Sequence, residues 1–157
     1  MNTHFFKLRR LVIAMVAAGV ISAAGVGAYN HAHAAGVPLI HKSGAVEYMS
    51  GGIGTDESSV IEAISKHWSL SLEFAVKSGK RAEFAANVKL SVHDAKGREV
   101  LHATSGGPFL LARLAPGNYT VDATLAGKTL QETVAIQTGK AVKAVFIWPV
   151  GTDGTRA

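Results

Sequence analysis

The segment from Gly106 to Gly127, which reads GGPFLLARLAPGNYTVDATLAG, constrains the fold of this chain more than any other. An apolar segment leads to the pair Pro116-Gly117, after which Tyr119 and Val121 alternate with polar residues. Alternation with a period of two is typical of a half-buried strand. Pro followed by Gly fits the central positions of a type II turn, where Gly takes a positive φ. The segment predicts two antiparallel strands and contains no motif that indicates chemistry.

The same alternation recurs from residue 69 onwards. Asp94–Gly97 has the composition of a hairpin turn, with Gly97 at a positive φ. The predicted strands are 70–76, 88–93, a return strand around Val100, 109–114, 119–125, 130–136 and 141–148. Regularly spaced short strands favour a mostly β fold. We predict a seven-stranded antiparallel β-sandwich.

The first 34 residues have the order of a secretory signal peptide. Three basic residues precede an apolar run over 11–28, and Ala32-His33-Ala34 supplies a small-residue exit site. We expect this segment to be helical and to be cleaved after Ala34 or Ala35. The alternative is an inner-membrane anchor formed by 11–28. The chain has no Cys, which excludes a lipidated Cys and suits a periplasmic protein of a Gram-negative bacterium.

The positive charge of the chain owes much to this segment. Residues 1–34 hold three of the 16 Lys and Arg residues and none of the 11 acidic ones, so the remainder has a net charge of +2. No basic stripe with interleaved aromatic residues follows. We therefore predict no nucleic-acid partner, and membrane contact only through an uncleaved signal segment.

Between the signal segment and the first predicted strand lie an arm and a helix. Residues 35–55 are rich in Gly, Ala and Ser and predict a flexible arm. Thr55 or Asp56 is placed to cap a short helix over 56–67. The helix and sandwich form one predicted domain over 56–149, and 150–157 is expected to be a disordered tail.

The strand and turn motifs together resemble the carboxypeptidase regulatory-like domain. The resemblance rests on a D-x-x-G turn, a G-x-F element and an L-x-P-G-x-Y-x-V element, and its motif residues are Asp94, Gly97, Gly107, Phe109, Pro116, Gly117 and Tyr119. It covers about residues 69–148. It implies a transthyretin-like, or prealbumin-like, β-sandwich that serves as an accessory or binding module. The arm and the helix lie outside it and are similar to those of small exported proteobacterial proteins.

Two groups of apolar residues are candidates for an interaction site. Trp68 and Trp148 form an aromatic platform for sugar rings if they are exposed and coplanar; otherwise they pack in the core. In the last strand, Val145 and Ile147 lie on the face opposite the predicted core side. They form a partner site if the helix leaves them uncovered, although we expect the helix to cover that face.

No residues stand out for catalysis, cofactor binding or metal binding. Ser105–Pro108 matches part of a serine-protease box, but Thr104 stands where that box has Asp. A three-residue hairpin loop would pair His93 with Glu99 and place His102 opposite Leu90, so that the two histidines point to opposite faces. A metal site needs three or four convergent ligands. The sequence thus predicts neither an active site nor a bound cofactor.

These observations favour a non-enzymatic periplasmic accessory module that binds an envelope protein or another cell-envelope component. The alternative is a carbohydrate-binding module that uses Trp68 and Trp148. A hydrolase is the remote alternative, because it requires a polar cleft with perturbed titratable groups.

Overall fold

The computed structural model describes residues 36–152. The predicted signal segment and the cleavage site at Ala34 and Ala35 lie outside the described residues. The elements in chain order are β1 (His41–Ser43), β2 (Val46–Gly51), α1 (Thr55–Ser65), β3 (Leu70–Ser78), β4 (Arg81–Phe84), β5 (Lys89–Asp94), β6 (Glu99–Thr104), β7 (Phe109–Arg113), β8 (Gly117–Leu125), β9 (Lys128–Ile136) and β10 (Val142–Trp148).

Two sheets form a β-sandwich, as the alternation predicted. The larger sheet has the order β1-β2-β7-β3-β10, with β4 pairing with the second half of β3. The smaller sheet has the order β6-β5-β8-β9. Apolar residues from both sheets meet in one core, in which Phe74, Phe146 and Trp148 form a group of aromatic rings with centroids 6.0–6.3 Å apart. Burial of this apolar surface is the main stabilising contribution.

Residues 36–152 form ten strands where the sequence predicted seven, and among these strands β3 and β10 are not antiparallel. β3 and β10 run parallel, with Phe74 opposite Phe146. β1 and β4 were missed because each is short and mostly exposed, so neither shows an alternation of apolar and polar residues. Alternation of apolar and polar residues arises when one face of a strand is buried. A strand whose side chains are exposed on both faces does not show this alternation.

The predicted flexible arm over 35–55 is wrong, because its central part forms β1 and β2 of the larger sheet. β2 pairs with β7 over five residues, and Val46 and Met49 are buried. Two of the glycines that suggested flexibility, Gly51 and Gly52, are closely packed instead. Gly52 has a φ of 94°, and a Cβ atom there would collide with the ring of Phe109. Glycine is required at this position because a side chain has no room.

One predicted turn residue is confirmed, whereas the other predicted turn, the helix cap and the C-terminal tail differ from their predictions. Gly97 has the predicted positive φ, 74°. Gly117 has a φ of 157°, far from the about +80° of a type II turn, and it already begins β8. The N-cap of α1 is Gly54, without a capping side chain, rather than Thr55 or Asp56. The predicted disordered tail over 150–157 is wrong for residues 150–152, which form a turn in which the buried Thr152 donates a hydrogen bond from its hydroxyl to the carbonyl oxygen of Pro149. Residues 153–157 lie outside the described residues.

Candidate functional site

Both tryptophans are buried, so core packing, the alternative to the aromatic platform, is confirmed. Trp68 is 4% exposed and packs with α1 through Ile61, while Trp148 is fully buried in the sandwich core. The indole nitrogen of Trp148 donates a hydrogen bond of 2.9 Å to the carbonyl oxygen of Lys128. Neither ring is available to stack on a sugar, so the carbohydrate-binding hypothesis loses the residues on which it depended.

Helix α1 does not cover the last strand, contrary to expectation. It packs on the outer face of the larger sheet above β2 and β7, where Met49, Phe109 and Leu111 meet Ile61. The outer face of β10 is two strands away and stays open. Val145 and Ile147 are consequently 41% and 44% exposed.

A row of apolar residues crosses this open part of the larger sheet. Ala75 on β3 lies opposite Phe84 on one side and opposite Ile147 on the other. Neighbouring strands are about 4.8 Å apart. Phe84 and Ile147 therefore lie on either side of the small, buried Ala75, and the three residues form a shallow apolar surface. The ring of Phe84 is 57% exposed and meets the ring of Phe109 edge-on at 5.4 Å. We call Phe84, Ala75, Val145 and Ile147 the apolar shelf.

The backbone of β10 is paired along one edge. The amide of Val142 donates to the carbonyl of Ser69, on the β3 side. Because backbone groups alternate in direction along a strand, those of Lys143, Val145 and Ile147 point away from β3. Within residues 36–152 no strand hydrogen-bonds to β10 on that side. Val145 and Ile147 thus combine exposed side chains with unpaired backbone groups.

A separate cavity of about 510 Å³ opens at one end of the sandwich. It lies where α1 ends, β7 ends and the β9–β10 loop passes. Its basic lining residues are Lys66, His67, Arg113 and Lys140, and none of the described residues that line it is acidic. We call it the end pocket.

The histidines of the β5–β6 hairpin lie on the same face, not on opposite faces as predicted. A bulge between Val92 and His93 keeps His93 opposite Glu99 but places His102 opposite Ser91. No motif around Val92 and His93 indicates this extra residue. Ser91, His93, Glu99 and His102 therefore join Asp122 of β8 in a polar cluster on the smaller sheet.

The polar cluster has a partly triad-like order. His93 Nε2 lies 3.4 Å from the Ser91 hydroxyl, and His93 Nδ1 lies 3.6 Å from a carboxylate oxygen of Asp122. The Ser91 hydroxyl, however, donates its single proton to Glu99. That hydrogen bond, with the nearby His102 and His93, lowers the pKa of Glu99. A serine whose proton is held by a carboxylate is not activated by its histidine.

The remaining candidates for chemistry have structural roles or are absent. Ser105, from the partial protease box, is buried, and its hydroxyl accepts a hydrogen bond from the Val88 amide. Across residues 36–152, no three His, Asp or Glu side chains are arranged to hold a metal ion. In the same range, no helix is long and apolar enough to cross a membrane.

Comparison with known proteins adds little to this geometry. No family model matches the chain, and no curated protein matches it. Among solved structures, the chain is similar to a minor pilin of the Gram-positive pathogen Streptococcus agalactiae, with 18% identity and a TM-score of 0.41. The match covers 52% of this chain and 45% of that one, so it spans less than half of the pilin structure.

Proposed function

We propose that this protein is a non-enzymatic accessory module that binds an extended segment of a partner protein along the free edge of β10. The observation that carries the proposal is the coincidence, at Val145 and Ile147, of exposed apolar side chains and unpaired backbone groups. An added strand satisfies both, because it supplies backbone hydrogen bonds and places every second side chain beside Val145 and Ile147.

Two other edge strands, β1 and β9, have features that discourage such pairing, whereas β10 is seven residues long. β1 is only three residues long. β9 carries the exposed Lys128 and Glu132. On β10, the one charged side chain is Lys143, whose Nζ lies 2.6 Å from Glu73 and is thereby neutralised. Charges and short lengths are the usual protection of an exposed edge.

Features of the sequence support a periplasmic location for this protein. The order of residues 1–34 supports export, and the absence of Cys suits the periplasm. The motif resemblance to the carboxypeptidase regulatory-like domain supports an accessory role rather than a catalytic one. We propose an envelope protein as the partner, since it shares that compartment.

Site-specific photo-crosslinking in living cells tests the proposal. A photoreactive amino acid at Ile147 should give a discrete adduct with an envelope protein, and the same probe at Lys89, on the smaller sheet, should give none. Val145→Pro removes an amide that points to the free edge and should abolish the adduct. Val145→Thr keeps the amide and the branched shape and serves as the matched control.

Two results would count against strand addition. If Val145→Pro leaves the adduct as strong as Val145→Thr does, the partner does not use the backbone edge. If Ile147 yields no more adduct than Lys89, the apolar shelf is not the contact surface.

A further inference from the structure

The end pocket concentrates positive charge that the described part of the chain does not neutralise. Lys66 comes from the end of α1 and Lys140 from the β9–β10 loop, 74 positions later. Within residues 36–152 neither lysine forms an ion pair with an acidic side chain, whereas Lys42, Arg98 and Lys143 each do. Like charges brought together from distant segments repel one another, so the arrangement favours an anion between them.

The lysine at the helix end is not needed to cap the helix. A helix C-terminus carries partial negative charge on its unpaired carbonyl groups. Here the amides of His67 and Trp68 already bond to the carbonyls of Ile64 and Ser65, at 2.9 and 3.0 Å. The partial charge that remains, about half an elementary charge, is smaller than the combined charge of Lys66, Lys140 and Arg113.

Arg113 is held in place at the same pocket. Its guanidinium carbon lies 4.5 Å from the ring centroid of the buried Trp68. One of its nitrogens lies 3.5 Å from Glu47, which compensates part of its charge. Stacking on an aromatic ring restricts the side chain, so less conformational entropy is lost when the guanidinium binds an oxyanion.

We propose that the end pocket binds a phosphate group. A phosphate monoester carries nearly two negative charges and three acceptor oxygens, which matches two free lysines and a guanidinium better than a single carboxylate does. The cavity volume lies within the range of small-molecule sites. The site is distinct from the apolar shelf, and the inference does not rest on the proposed strand-binding function. The phosphate belongs either to a soluble compound or to an anionic lipid headgroup.

Calorimetric titration of the full chain with inorganic pyrophosphate tests this site. We expect the doubly substituted variant Lys66→Ser/Lys140→Ser to bind pyrophosphate at least about tenfold more weakly, since two charge-assisted contacts are lost. The matched control is Lys80→Ser/Lys96→Ser, which removes the same charge from two turns distant in sequence. It should bind within about twofold of the unmodified chain.

A second experiment distinguishes a soluble phosphate compound from a lipid headgroup as the ligand. Flotation with vesicles of phosphatidylglycerol, compared with vesicles of phosphatidylcholine, measures headgroup binding. Pocket-dependent binding to pyrophosphate alone supports a soluble ligand, and pocket-dependent binding to phosphatidylglycerol supports a headgroup. The proposal is overturned if neither probe binds, or if the Lys80/Lys96 control weakens binding as much as the pocket variant, because the attraction would then reflect net charge alone.

Discussion

The hydroxyl of Tyr119 donates a hydrogen bond of 2.8 Å to the carbonyl oxygen of Ala115, across the Pro116-Gly117 turn. The ring packs in the main core, so the hydrogen bond of the Tyr119 hydroxyl holds the turn against the sandwich. We expect Tyr119→Ala to lower the free energy of unfolding by about 3–5 kcal/mol, the range for a large core aromatic residue. Tyr119→Phe, which removes only the hydrogen bond, should cost about 1 kcal/mol. Chemical denaturation measures both, and a loss below about 1 kcal/mol for the alanine variant would contradict the core role.

Two adjacent glycines before β7 should differ sharply in their tolerance of a side chain. A Cβ atom on Gly107 would collide with the backbone carbonyl of Gly51, whereas one on Gly106 would lie 4.0 Å from the Ser50 hydroxyl. Backbone cannot move aside as a flexible side chain can. We expect Gly107→Ala to destabilise the fold by about 1–3 kcal/mol and Gly106→Ala by less than about 0.5 kcal/mol. Equal thermal denaturation midpoints for the two variants would refute the close approach of β2 and β7.

Alternation in the sequence predicted strands whose two faces have different surroundings, and a continuous apolar run predicted β7, which is buried on both faces. From Tyr119 to Leu125, β8 alternates between buried and half-buried residues, so the sequence showed both where this strand lies and which of its faces is buried. β4 is exposed throughout and β1 nearly so, and neither left a pattern to read. The glycines at 51 and 52 suggested flexibility. A sequence alone does not distinguish a glycine in a flexible segment from a glycine that is needed because neighbouring atoms leave no room for a side chain.

The candidate sites were less predictable than the fold, because each joins elements that are distant in the sequence. Val145 and Ile147 were recognisable as an apolar face, but their exposure depends on where α1 packs. Nothing near Lys66 indicates that Lys140 lies at the same pocket. The bulge at Val92/His93 reversed the predicted relation of the histidines, since one extra residue changes the face of every later side chain.

The direction of the backbone amides along β10 predicts how proline substitutions change the stability of the protein, and this can be tested without a partner. The amide of Ala144 points towards β3 and that of Val145 points away from it, by the register that pairs Val142 with Leu70. Proline is tolerated in a strand only where its missing N–H faces outwards. Ala144→Pro should therefore destabilise the fold by about 2 kcal/mol or more beyond Val145→Pro, since it leaves a carbonyl of β3 unpaired. Urea denaturation compares the two, and an equal loss would mean that the edge assignment is wrong.

Asp94 should make the stability of the protein depend on pH in the acid range. Its carboxylate accepts hydrogen bonds from the backbone amides of Arg98 and Lys96 and from the Arg98 guanidinium, and these lower its pKa, with the Arg98 amide contributing most. A carboxyl group with a lowered pKa in the folded state stabilises the protein above its unfolded pKa of about 4. That stabilisation is lost as the pH falls through the folded pKa. We expect the difference in unfolding free energy between the unmodified chain and Asp94→Asn to be constant above about pH 6 and to shrink towards about pH 2. Glu99 titrates in both proteins, so the difference isolates Asp94. A difference that stays constant or grows at low pH would show that the turn does not hold the charged carboxylate.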